Sequence, residues 1–347
     1  MLAKDNHNAT QSHYMYQMNE KTMTIEVSLE ELENLCRSAL KKKGASSEEA
    51  SIVFQDYLDA ELRGRTSHGF VSFAVALGAF PHAGKYEIVE DSLSHITIEG
   101  NGDCGHVVAR KSIDHGLENL KKTKVCTIGI RNITRFNCPG SIARYAAENG
   151  AIALVLEYGG KNFMVPFGGK EASLSTNPIG IAIPGTNPLF VLDIATSERA
   201  IGFVNLAKAS GEFIPNNWGV DKFGQATTNP SELAAMNPFG GYKGSALAMA
   251  FEILSGALVG VPIGSSGDLS KRGALILLFD PTIFGQTKEE FQTRVAKFLE
   301  EVTSTAPQDA SAPVMYPGQL GENRYQDQIK KGKVVLPKAI LDSLSNF

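Results

Sequence analysis

Gly100-Asn101-Gly102-Asp103-Cys104-Gly105 is a literal G-x-G-x-x-G string between an expected strand and an expected helix. Glycines so spaced permit a tight turn and close backbone approach to a pyrophosphate at a helix N-terminus, which is dinucleotide-binding chemistry. That chemistry also calls for an acid at the end of the following strand, and the strand expected over Cys126 to Arg131 ends instead in Arg131 and Asn132. An Arg there suits a 2′-phosphate, and a bare tight turn explains the glycines equally well. The four cysteines, Cys36, Cys104, Cys126 and Cys138, contain no C-x-x-C pair. Neither a disulfide framework nor a zinc cluster is expected from them, and no metal ligands are assigned; reduced thiols point to the cytoplasm.

These residues sit in an alternating α/β chain. Ser28 with Glu31 and Ser46 with Glu49 are S-x-x-E capping boxes, each followed by apolar residues at helical spacing. Strands are expected at His95 to Glu99, Cys126 to Arg131, Ile152 to Tyr158, Ile179 to Ile183, Phe190 to Ile194 and Ala274 to Asp280. Helices are expected near Val107 to Lys122 and Ser141 to Asn149, and after Thr287 with Glu290. Residues 1–24 read as a polar, disordered leader without a signal sequence. Gly244 to Ile263 is nearly long enough to span a bilayer, but Glu252, Gly256, Gly260 and Pro262 mark it as a buried core helix.

Composition narrows the classes. The 347 residues carry 33 Lys and Arg against 37 Asp and Glu, a net charge of −4, so no nucleic-acid partner is expected. With 43% hydrophobic and 20% charged residues the chain is globular, neither disordered nor a membrane bundle. The 34 glycines exceed the usual share, implying many turns or close backbone approach to a ligand.

Four separated segments are more specific: Arg63-Gly64-Arg65-Thr66-Ser67-His68-Gly69, then Val165 to Pro178, then Asp193-Ile194-Ala195-Thr196-Ser197, then Gly240-Gly241-Tyr242-Lys243-Gly244. In this order and spacing the chain resembles the malate/L-lactate dehydrogenase family that is distinct from the Rossmann dehydrogenases. The resemblance runs from about residue 25 to Tyr316-Pro317-Gly318-Gln319. It implies an α/β fold with a non-Rossmann NAD(P)-binding domain built on a largely antiparallel sheet, plus a helical domain formed from N- and C-terminal segments. The corresponding divisions are 25–125 for the N-terminal part, 126–265 for the cofactor domain and 266–347 for the returning C-terminal segment. The implied activity is NAD- or NADP-dependent hydride transfer on a small 2-oxo or 2-hydroxy acid or its imine, in a homodimer. The G-x-G-x-x-G then falls back to a turn.

Transferred by position, Asp193, Ile194, Ala195, Lys243, Gly244, Thr176, Asn177 and Gly318 become cofactor contacts, and His68 faces nicotinamide and substrate. A lysine flanked by glycines suits phosphate. For Thr176-Asn177-Pro178 a rigid turn is an equal reading, and Asp193 alone would more often be a strand-end carboxylate in solvent.

Two departures bear on mechanism. The family's proton-transferring histidine falls here on Arg135, and the arginine three positions after S-H-G is Ser72. A guanidinium does not exchange protons near neutrality, but it pairs bidentately with carboxylates. Arg135 is therefore expected to orient a carboxylate substrate, leaving His68 as the site's histidine. An iminium, which already carries its proton, would tolerate the loss better than a ketone. The alternative is a chain that keeps the cofactor fold but has lost redox chemistry. His82, His95, His106 and His115 are expected to be surface or satisfied residues.

Overall fold

The computed structural model describes residues 23–78, 80–82, 84–185 and 189–345. β1 (Thr24–Ser28) leads through an Ser28 cap on the Glu31 amide into α1 (Leu29–Lys42), and a complete Ser46–Glu49 capping box starts α2 (Ser47–Leu62). A 3₁₀ turn (Thr66–His68) and α3 (Phe73–Leu77) follow. Next come β2 (Glu87–Asp91), β3 (His95–Glu99), α4 (Gly105–Thr123), β4 (Val125–Ile133), α5 (Pro139–Glu148), β5 (Ile152–Tyr158), β6 (Ile179–Ile183) and β7 (Phe190–Ile194). The chain continues through α6 (Ile201–Ser210), β8 (Gly219–Val220), β9 (Ala235–Met236) and α7 (Tyr242–Glu252) to β10 (Arg272–Phe279). It ends in α8 (Lys288–Thr303), α9 (Gln319–Lys331), β11 (Lys333–Pro337) and α10 (Lys338–Ser345).

Seven strands form one sheet in the order β2-β3-β4-β10-β5-β6-β7. Only β3 and β4, joined by the α4 crossover, run parallel; every other pair is antiparallel. Ile113 of α4 and Ile142 of α5 pack with Ile128, Ile276 and Ala153 of the sheet into one buried core. A second core unites α1, α2 and α3 with β1 and β11, where Val27 lies opposite Val334. The N- and C-terminal segments thus close on each other, as the resemblance implied.

The sheet does not respect the expected divisions at 125/126 and 265/266. β3 comes from the first segment and β10 from the last, and they flank β4 because their Ile and Leu side chains complete its buried face. The expected turn at Gly100 is present, with Asn101 and Gly102 at positive φ and the Gly100 amide bonded to the Arg131 carbonyl. β1 begins at Thr24, inside the span assigned to the leader; residues 1–22 lie outside the described residues.

The Gly244 to Ile263 stretch departs most from expectation. It divides into α7 and a π-helical turn at Ile253–Ala257. Gly244, Ser245, Ala248, Glu252, Ser255 and Gly256 are inside, whereas Leu247, Met249, Ile253, Leu254 and Leu258 are exposed. Small residues let the helix approach the β5 end closely: a Cβ on Gly256 would sit 3.4 Å from the Tyr158 ring. The larger apolar side chains are left outward. Among the described residues, no helix is long and apolar enough to cross a membrane.

Candidate active site

The 3₁₀ turn carrying His68 is held from beneath by Glu61, whose carboxylate accepts the Phe70 amide at 3.0 Å. A Cβ on Gly69 would overlap that carboxylate, so a larger residue there would push the Glu61 side chain out of place. Ser67 Oγ lies 2.9 Å from His68 Nδ1, and Asn137 Nδ2 donates to the His68 carbonyl at 2.6 Å. This last bond ties the turn to the loop between β4 and α5, where Arg135 stands. Burial, reinforced by the Arg135 and Arg65 charges, holds the His68 imidazole at about 4, so it is neutral at pH 7.

Arg135 is half-buried, and no carboxylate among the described residues comes within ion-pair distance of it. Its charge is felt by Glu157 on β5, which is pushed up to about 7 by burial against the pull of Arg272 and Arg135. Glu157 Oε1 stays 3.7 Å from Arg272 Nη1 and has no hydrogen bond. A partly buried guanidinium without a partner is costly, and a bound carboxylate would relieve it.

A second wall is built from the remaining motif segments. The Thr196 amide and Oγ1 both donate to the Thr176 carbonyl, at 2.9 and 2.8 Å, and the Phe239 amide donates to the Thr196 carbonyl at 3.0 Å. Three distant stretches are thereby stitched together. Asn177, fully buried at φ 29°, donates to the Ala248 carbonyl at 3.0 Å and to Glu252 Oε2 at 2.8 Å. Glu252 also accepts the Ser175 and Gly264 amides at 3.0 and 3.1 Å. Among the described residues, three donors and no cation satisfy this carboxylate.

The other transferred residues divide by partner. Asp193 forms an ion pair with Arg65 and abuts Gly140 at the α5 N-terminus, so its carboxylate joins the two walls and is neither in solvent nor free for a ligand. Ile194 is exposed and Ala195 half-buried beside it. Gly244 needs to be glycine because a Cβ would collide with the Phe239 carbonyl. At Gly318, whose φ is 96°, a Cβ would sit 3.1 Å from the nitrogen of the Val191 amide, which bonds the Pro317 carbonyl. Lys243 is exposed and makes no ion pair among the described residues.

These residues fit a dinucleotide. Gly240 and Gly241, both at positive φ, precede α7, whose first turn presents amides and Lys243. Asn137 Oδ1, Asn177 Oδ1 and Ser175 Oγ are buried polar atoms lacking partners along the two walls. The contributions of Glu61, Asn137, Glu157 and Arg65 were not apparent in the sequence. Glu252 was visible there only as a charge interrupting an apolar run, which was its signal.

A family model described as malate/L-lactate dehydrogenase matches residues 27–345. A malate/(S)-sulfolactate dehydrogenase of Methanothermus fervidus is 33% identical, covering 92% of this chain and 96% of its own length. A (2R)-3-sulfolactate dehydrogenase (NADP(+)) of Chromohalobacter salexigens is 30% identical, covering 94% and 98%. The crystal structure of a dehydrogenase from Sinorhizobium meliloti superimposes with a TM-score of 0.86 at 29% identity, covering 94% of this chain and 98% of that one.

Proposed function

We infer, for a chain that belongs to the malate/L-lactate dehydrogenase family and is an NAD(P)-dependent dehydrogenase of small hydroxy and oxo acids, that Arg135 anchors the substrate carboxylate beside a neutral His68. The observation that carries this reading is the unpaired Arg135 guanidinium next to an imidazole held at about 4. A carboxylate taking two parallel N–H bonds from Arg135 has its reacting carbon fixed relative to His68. Ser67 engages Nδ1, so Nε2 is the nitrogen left for substrate. With Ser67 donating, Nε2 carries the proton and can donate a hydrogen bond to substrate, to the developing alkoxide where that substrate is a 2-oxo acid.

A nicotinamide cofactor would supply the hydride chemistry here. Lys243 and the first amides of α7 would hold its phosphates, and the orphaned acceptors of Asn137 and Asn177 would be available to its donors. Asp193, in this reading, keeps Arg65 and the two walls in place.

An Arg in place of a proton-transferring histidine favours a cyclic imino acid, whose iminium already bears its proton, over a ketone. The test is a panel of 2-oxo acids and cyclic imino acids with NADH and NADPH, followed by the absorbance of the reduced nicotinamide. Wild-type turnover of the imines is expected, and Arg135→His should shift activity toward ketones. Absent imine turnover together with ketone turnover would overturn the substrate choice, and no turnover in any combination would overturn the redox reading.

The exposed Leu247, Met249, Ile253, Leu254 and Leu258 support a homodimer joined through α7, and sedimentation of Leu258→Lys, expected to yield monomers, tests it. Four free, buried cysteines support a cytoplasmic setting.

A further inference from the structure

Glu49, His82 and Asp103 lie far apart in sequence but bring one ligand atom each to within 4.8 Å of the others. Glu49 comes from the α2 capping box, Asp103 from the glycine turn before α4, and His82 from the loop between α3 and β2. The two carboxylates approach the same imidazole nitrogen: Glu49 Oε1 is 3.3 Å and Asp103 Oδ1 is 3.5 Å from His82 Nε2. Both distances exceed the usual N–H···O length of about 2.9–3.0 Å. They match the edge of about 3.4 Å between ligands of a tetrahedral ion with bonds of about 2.0–2.1 Å.

Charge points the same way. The side chains of Asp103 and Glu49 are only 4% and 18% exposed, and among the described residues neither has a Lys or Arg within ion-pair distance. Two confined carboxylates opposite one histidine leave negative charge that a divalent ion would neutralise. Backbone amides fix the ligands: Ser46 donates to Glu49 Oε2, and Cys104 and Tyr86 donate to Asp103 Oδ1 and Oδ2. Such outer hydrogen bonds orient metal-binding carboxylates. Partial exposure of His82 and Glu49 provides an entry path and room for a water as fourth ligand.

We propose that Glu49, His82 and Asp103 form a structural site for a first-row divalent cation of the Zn²⁺ class, distinct from the active site. It would clamp α2, the loop at His82 and the turn before α4. That turn matters because Gly105 packs on the Thr134 and Arg135 backbone so tightly that a Cβ would overlap it. The G-x-G-x-x-G string thus has a role without a nucleotide: it presents Asp103 and backs the loop carrying Arg135.

The site is tested on chelator-stripped full-length protein by calorimetric titration with Zn²⁺ and by thermal unfolding with and without Zn²⁺. His7 and His13 also attract zinc, so the readout is the difference between wild type and His82→Gln, with His115→Gln as control. Wild type and His115→Gln should bind one more Zn²⁺ per chain than His82→Gln, and only they should show a Zn²⁺-dependent rise in Tm. Glu49→Gln retains the helix cap, because glutamine also serves it, and should lose the same ion even if His82→Gln folds poorly. Equal stoichiometry and equal Tm response in wild type and both site variants would overturn the proposal, and would leave His82 as a side chain bridging two carboxylates without a metal.

Discussion

The two walls of the active site are both polar and both partly buried, yet they handle their polar groups in opposite ways. On the wall of Thr176, Asn177, Thr196 and Glu252, the side-chain donors of Asn177 and Thr196 have acceptors and the Glu252 carboxylate collects three hydrogen bonds, leaving Ser175 Oγ and Asn177 Oδ1 without partners. On the wall of His68 and Arg135, the backbone is pinned but the functional atoms are unspent: the Arg135 guanidinium has no ion pair among the described residues and His68 uses only one ring nitrogen. The first wall is a frame; the second is a surface awaiting a ligand. Buried polar groups are ordinarily satisfied, so the contrast separates residues that hold the site from residues that act in it. Motif membership alone assigned Asn177, Asp193, Lys243 and Arg135 to one pocket, whereas their partners divide them.

The largest expected effect is on the frame. Glu252→Ala would strand the Ser175 and Gly264 amides and the Asn177 amide group, costing at least about 3 kcal/mol of stability in chemical denaturation. If stability changed by less than about 1 kcal/mol, the frame would not depend on that carboxylate. Arg135→Ala should do the reverse. Losing a bidentate charged contact should raise the substrate KM about 30- to 100-fold, equivalent to about 2–3 kcal/mol, with stability unchanged or slightly higher. A drop in Tm comparable to that of Glu252→Ala would place Arg135 in the frame instead. Lys243→Ala, at an exposed position, should weaken only the cofactor, raising its KM about tenfold, or about 1.4 kcal/mol, without affecting Tm.

The frame was hardest to read from sequence, although its strands were easy. β5, β6 and β7 have the expected bounds, since alternating apolar residues between turn signals set them locally. The capping boxes at Ser46 and Thr287 likewise form as written, because a cap closes within four residues. Glu252 with Asn177, Arg65 with Asp193, and β10 beside β4 and β5 are contacts across 75 or more residues, for which local periodicity carries no information. α7 misled for another reason: the apolar run was read as a buried core helix, but its larger apolar residues face outward and its small residues are the buried ones. His68 and Arg135 were legible as residues, but the neutrality of the one and the solitude of the other depend on neighbours brought in by the fold.

The smallest effect is the sharpest test of the active wall, because it reads a proton rather than a rate. In the folded protein His68 titrates at about 4, below the ordinary 6.5, with burial the main cause and Arg135 the next. Between those values the unfolded chain binds more protons at this position than the folded chain does. The stabilising contribution is therefore complete above pH 6.5 and is lost as pH falls toward 4. NMR titration of the imidazole should show no midpoint near 6.5 in wild type, and Arg135→Ala should move the midpoint upward. Binding a carboxylate substrate analogue should move it in the same direction, since the analogue neutralises the same charge and adds its own. A midpoint indifferent to both changes would mean that burial alone sets the proton and that Arg135 lies electrically apart from His68. The two residues would then no longer constitute one ligand-facing wall.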